Sequence, residues 1–154
     1  MLATITIKLT SPFLGSAKPN QDGIREIIKT DNNPTLFIKR FCKLCKKYAV
    51  ELGVVDYRYN TINVPNFIKT DSKEKIYEKE YKDKDGYVRR EKFMSYPSGT
   101  LMTLDCYIDT NRIDAEKAIK ILELIGKYDG ISQFGIHTNF GRFEILICAQ
   151  QNND

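Results

Sequence analysis

The sequence predicts an α+β fold in the order strand, helix, strand, hairpin, strand, helix, strand. Three observations carry this. Two stretches, Ala3–Thr10 and Leu101–Ile108, alternate apolar residues with a period of two, as half-buried strands do. Two others repeat apolar residues at helical spacing: Phe37, Phe41, Leu44, Cys45, Tyr48, Ala49 and Leu52, then Ala115, Ala118, Ile119, Leu122 and Ile125. Between them lies a charged segment with Asp85-Gly86 at its centre, a strong short-range hairpin signal.

The 154 residues suit one domain with a real core, here read as 1–150, followed by a tail at 151–154 that should fray. The 24 basic and 20 acidic residues leave a formal charge of +4, too mild to identify a nucleic-acid binder alone. No apolar run approaches membrane-spanning length, and the alternating N-terminus is no signal peptide. Cys42 and Cys45 form a C-x-x-C inside a helical pattern with no second pair after it, so neither zinc nor another cofactor is expected. Reduced thiols fit a cytoplasmic protein.

In order, Ala3, Ile5, Ile7 and Leu9 define the first strand, which Ser11-Pro12 stops. Phe13–Asn20 reads as a loop, and Gly23–Thr30 as a short helix. Asn33-Pro34 should open the first long helix, with Asn capping and Pro in the first turn, and Gly53 should end it. Its other surface carries Lys39, Arg40, Lys43, Lys46 and Lys47, a local positive patch. Val55, Tyr57 and Tyr59 alternate with polar residues as a second strand, continued toward an edge by Ile62, Val64, Pro65 and Phe67.

Lys69–Lys92 mixes nine bases with seven acids. With its flanks, about 69–96, it reads as an inserted β-hairpin, solvated or ordering on a ligand. Aromatics among bases resemble single-strand binding surfaces, with Arg89, Arg90 and Lys92 as phosphate contacts and Tyr81 or Tyr87, or Phe134 or Phe140 further along the chain, as stacking candidates. The third strand follows Gly99-Thr100 and has apolar residues on both faces, as a central strand would. Asp109-Thr110-Asn111 offers cap chemistry for the second helix, which should end at Gly126. Phe143–Ala149 is nearly all apolar, as expected of a strand covered on both faces.

Gly126–Arg142 holds four of the nine glycines and the only histidine. Glycine permits close approach of a backbone to a ligand. A connector carrying Lys127, Gly135, His137, Asn139, Gly141 and Arg142 could cradle a phosphate backbone. It could equally be a tight helix-to-strand connection. No Walker loop, nucleophile elbow or zinc-protease motif appears, so the reading leans away from an enzyme.

The element order is βαββαβ, the ferredoxin-like arrangement: a four-stranded antiparallel sheet with two helices on one face and an inserted hairpin. Here the sequence resembles the RAMP superfamily, the ferredoxin-like RNA-binding proteins of CRISPR systems. Three features carry the resemblance: a first strand ending in Leu9-Thr10-Ser11-Pro12-Phe13-Leu14-Gly15-Ser16, a Pro97-Ser98-Gly99-Thr100 turn into an apolar strand, and a glycine-rich loop closing on Phe140-Gly141-Arg142-Phe143. The resemblance implies that Gly135, His137, Asn139, Gly141 and Arg142 lie near a nucleic-acid backbone. The loop is sparser in glycine than strong examples, and no histidine occurs near the first helix, where several processing nucleases of the family place one. This fits a RAMP-like relative without cleavage, and its size fits a phage or mobile element.

Three functions follow as expectations. The first is a non-catalytic module for single-stranded RNA or DNA, using the loop and the basic surface. The second is a protein-binding module docking on a nucleoprotein complex, as subunit or phage-encoded inhibitor. The third is a metal-independent endoribonuclease with His137 as general acid or base.

Overall fold

β1 (Leu2–Leu9) is a central strand, and its alternation is the reason. Ala3, Ile5, Ile7 and Leu9 are each at most 2% exposed in a computed structural model of the chain, which describes residues 1–135 and 139–151. The molecule is α+β. β1 lies between β9 (Leu101–Ile108) and β10 (Phe143–Gln150), and β9 pairs on its far side with the short β6 (Ile62–Asn63). The sheet order is β10-β1-β9-β6, and every neighbouring pair is antiparallel. Ile5 lies opposite Leu104 and Ile7 opposite Met102, so the two inward rows coincide.

Helices α1 (Ile38–Glu51) and α2 (Ala115–Leu124) pack on that inward side. Phe41, Cys45, Tyr48 and Ala49 of α1 and Ala118, Ile121 and Leu122 of α2 are buried there. Each large side chain so removed from water contributes about 1.5–3 kcal/mol.

A second, smaller sheet stands beside the first. β7 (Lys75–Lys82) and β8 (Val88–Tyr96) form an antiparallel hairpin. β8 also pairs with β2 (Phe13–Leu14), antiparallel, and with β3 (Ile24–Arg25), parallel. The hairpin turn is tied by Asp83, whose Oδ1 accepts the amides of Asp85 (2.9 Å) and Tyr87 (3.0 Å).

The structure corrects several local expectations. Phe13-Leu14 is a fully buried strand rather than loop. Gly23–Thr30 is extended, not helical. Asn20 Oδ1 accepts the amides of Asp22 and Ile24, Gly23 turns at φ 74°, and Ile24 and Arg25 join β8. Asn33-Pro34 does not open α1. It forms β5, paired with β4 (Lys29–Thr30) around the left-handed Asp31 and Asn32 (φ 51° and 64°). The Pro34 carbonyl accepts Ile68 N–H at 2.9 Å and Leu36 N–H donates to Asn66 O, so these backbone groups are committed before the helix begins.

Residues 55–60 are turns and irregular chain, not a strand, with Val55 99% exposed; Thr61 Oγ1 accepts Arg58 N–H at 2.8 Å and Thr61 N–H donates to Arg58 O at 2.9 Å, which holds the bend. α2 does not stop at Gly126. A π-helical turn, Ile125–Asp129, continues it, and Gly130 at φ 74° ends it. Gly126 is buried against Phe143, where a Cβ would lie 2.7 Å from the ring. Finally, β10 is an edge strand. Instead of being covered on both faces, it leaves Leu146 and Ile147 48% and 60% exposed.

Candidate nucleic-acid interface

The glycine-rich connector is braced from four sides. Gly130 and Gly141 (φ 74° and 70°) let its two limbs touch: Ile131 N–H donates to Gly141 O at 3.0 Å, and a Cβ on Gly141 would overlap the Ser132 backbone. From β2, Leu14 N–H donates to Ser132 Oγ (2.7 Å), which donates back to Leu14 O (3.2 Å). Gln133 accepts from Ile28 N–H and donates to the carbonyls of Ile28 and Thr35. From α1, Arg40 donates to the carbonyls of Ser132 (3.0 Å) and Gly130 (3.2 Å). Burial lowers the Arg40 pKa to about 10, opposed by the charge of Asp129.

The fourth brace is aromatic. Leu14, Phe93 and Phe140 form a second apolar cluster, with Tyr77 and Phe134 against it. Tyr77 meets Phe140 edge-on at 5.6 Å, and Phe93 lies 4.9 Å from Phe134. The hairpin thus packs its Tyr77/Phe93 face onto the connector. Phe134 and Phe140 serve this packing, and Phe140 is only 9% exposed.

Outside the braces, polar groups gather around the last connector residues. Arg142 donates its backbone N–H to Ser11 Oγ at 2.9 Å, and its carbonyl accepts Thr10 N–H at 2.8 Å, which pins the residue to the end of β1. Its guanidinium donates to Asn139 Oδ1 and, at 3.5 Å, to Tyr128 O. Arg142 Nε has no partner among the described residues. Lys127 Nζ lies 5.3 Å from the centre of the Tyr128 ring, which is 53% exposed. Arg25 and Lys79 add cations over Phe134 (5.6 Å) and Phe140 (5.5 Å).

Of the residues singled out from sequence, the structure joins Asn139 and Arg142 directly, with Gly141 between them in the chain, and links Lys127 to them through Tyr128, whose carbonyl accepts from Arg142 and whose ring centre lies 5.3 Å from Lys127 Nζ. Gly135, at φ 74°, accepts Phe140 N–H at 3.3 Å and closes the loop base. His137, on which the nuclease reading rests, lies outside the described residues. The three hairpin cations singled out from sequence are engaged within the hairpin. Arg89 pairs with Asp83 at 2.8 Å, Arg90 with Glu80 at 3.6 Å, and Lys92 sits opposite Glu78 in register. Arg90 and Lys92 also alternate with Phe93, so they share the hairpin face turned away from the connector. Sequence reasoning missed Arg25, Lys79 and Tyr128. Lys79 was legible from its alternation with Tyr77 and Tyr81, and Tyr128 from its place beside Lys127.

No group of three or more His, Cys, Asp or Glu among the described residues could hold a metal. Burial pushes the thiol of Cys45 far above its ordinary value. No described helix is long and apolar enough to cross a membrane.

No protein-family model matches the chain, and no curated protein matches it in sequence. Among solved structures, a chain of the type III-B Cmr-beta complex bound to cognate target RNA matches with a TM-score of 0.60 at 12% identity. The match covers 96% of this chain and 59% of that one, so this chain spans well under two thirds of its neighbour's length. At this identity the likeness is one of fold.

Proposed function

We propose that residues 1–150 form one ferredoxin-like, RAMP-like domain that binds single-stranded nucleic acid, RNA in preference to DNA, without cleaving it. The sheet order β10-β1-β9-β6 supports the ferredoxin-like assignment. The observation that carries the function is the cluster at the connector: Lys127 at the exposed Tyr128 ring and Arg142, with Asn139, at the Tyr128 carbonyl, on a backbone braced by β2, α1 and the hairpin. Cations on a preordered frame suit phosphates, and an exposed aromatic suits an unpaired base. The neighbour's RNA-bound assembly favours RNA over DNA as the ligand.

The test is fluorescence anisotropy with labelled single-stranded RNA and DNA across a salt series. Each phosphate contact contributes about 0.7 to the slope of log affinity against log salt for single strands. Lys127→Ala/Arg142→Ala should therefore flatten the slope by about 1.4. Tyr128→Ala should weaken binding by about 1–3 kcal/mol with the slope unchanged. Salt-insensitive binding, or a slope unmoved by the double variant, refutes the proposal.

A further inference from the structure

β10 reads in sequence as a strand with cover on both sides, yet in this chain it is an edge. Leu146 and Ile147 are 48% and 60% exposed, and Cys148 and Ala149 are exposed beside them. Edge strands of stable monomers ordinarily carry Lys, Pro, inward charges or bulges against pairing. Residues 145–149 carry no charge and no Pro, Glu144 is the strand's one charge, and the strand's one irregularity is a register shift at its middle.

The backbone pattern says what the edge can accept. Arg142 O accepts Thr10 N–H, and Gln151 N–H donates to Leu2 O, so these residues point their polar groups at β1. Antiparallel residues alternate between bonding the partner and facing away from it. Counting inward from each end along the register, Glu144, Ile147 and Ala149 bond β1, while Ile145, Cys148 and Gln150 present N–H and C=O outward. The count meets in the middle at an irregularity: Ile7 faces Ile145 but Thr6 faces Ile147, so Leu146 is the extra residue of a β-bulge.

The bulge makes the outward pattern symmetric. The positions 145 and 148 are mirror images about the midpoint between Leu146 and Ile147. A second copy of the same strand, turned about a two-fold axis there, sets Ile145 of each copy against Cys148 of the other. Both reciprocal hydrogen-bonding pairs are then satisfied. The same axis sets Leu146 opposite Ile147 and Glu144 opposite Ala149, so apolar groups meet and no like charges oppose. Gly126 backs onto Phe143 at the strand's start, which leaves the central residues to carry the pairing.

We propose that the chain forms a two-fold homodimer by antiparallel pairing of β10 with β10 of a second copy, in this register. The two four-stranded sheets become one of eight, and the shared interface is isologous, as a two-fold requires. The nucleic-acid reading is independent of this pairing.

Two measurements test it on nuclease-treated protein. Sedimentation at high micromolar concentration should return twice the chain mass of 17.8 kDa. Ile147→Lys, at an exposed position, should give the monomer mass with an unchanged circular-dichroism spectrum. Adding Leu146→Glu to it should restore the dimer, because Glu and Lys then face each other across the axis. Register is read by Ile145→Cys. Opposed hydrogen-bonded residues have Cα atoms about 5.5 Å apart, within disulfide range. Mild oxidation should therefore link position 145 of one copy to Cys148 of the other, while the wild-type chain stays uncrosslinked. A wild-type monomer mass overturns the proposal and leaves the edge to a strand of a different protein. A dimer that Ile147→Lys does not disturb, or one in which the 145–148 linkage does not form, overturns it as well.

Discussion

Ser132→Ala removes one oxygen and should loosen the whole connector. Ser132 is fully buried, and its Oγ both accepts Leu14 N–H at 2.7 Å and donates to Leu14 O at 3.2 Å. Leu14 is itself fully buried in β2, so water is not at hand to replace the lost partner. A buried donor left unsatisfied costs about 1–3 kcal/mol, and the cavity left by a hydroxyl adds little. For a chain of this size each kcal/mol lowers Tm by roughly 2–4 °C, so a fall of about 4–8 °C corresponds to a cost of about 2 kcal/mol. Thermal melts followed by circular dichroism read it directly. The same variant should bind single-stranded RNA less tightly with its salt slope intact, because no cation has been removed. A Tm within about 1 °C of wild type would refute the reasoning, since a buried donor losing its partner cannot be that inexpensive.

Two further outcomes follow from other parts of the structure. Gly126→Ala would raise stability by about 1 kcal/mol if helix propensity ruled. It should instead destabilise by about 1–3 kcal/mol, because the new methyl meets Phe143, which is held in β10; urea denaturation reads the sign. The hydrogen bond from Arg89 holds Asp83 below the usual carboxylate range, against a smaller desolvation effect, with help from the amides of Tyr87, Asp85 and Gly86. A folded pKa below the unfolded one contributes order above the unfolded value and loses it as pH falls through the folded value. Amide NMR shifts of Asp85 and Tyr87 should therefore move in that acid window, and Asp83→Asn should abolish the step.

What the sequence made legible was what local chemistry decides. The alternation of Ala3–Leu9 and Met102–Ile108 placed both strands of the sheet centre, because a period of two has no other packed solution there. The seam of Phe41, Cys45 and Tyr48 placed α1 in the same way. Errors came where a partner distant in sequence overrode a local signal. Pro34 looks like a helix start until Ile68 claims its carbonyl. Gly126 looks like a helix end until Phe143 is seen against it, and only a residue without Cβ lets the helix continue there. Val55-Tyr57-Tyr59 has strand periodicity but no ladder to join, since β9 is already bonded to Ile62-Asn63. Lys127, Asn139 and Arg142 could be singled out because they flank glycines in one stretch, whereas Arg25 arrives from β3, more than a hundred residues earlier.

The hairpin shows why a count of bases does not by itself mark a binding surface. Its cations are abundant in sequence, but the register decides which of them are free. β7 and β8 set Glu78 opposite Lys92, Lys79 opposite Glu91 and Glu80 opposite Arg90, while Arg89 folds back onto Asp83. Opposite charges directly across a ladder stabilise it by about 0.2–1 kcal/mol each, and that attraction is spent within the hairpin. By contrast, no ion pair among the described residues engages Lys127 or Arg142; Arg142 meets only neutral oxygens. A phosphate approaching Arg89 or Arg90 must displace a carboxylate, whereas one approaching the connector need not. Arg90→Ala should therefore leave the salt slope of RNA binding unchanged, while Arg142→Ala alone lowers it by about 0.7. Equal losses from the two variants would show that Arg90 is released from Glu80 on binding, and would move the phosphate path across the hairpin.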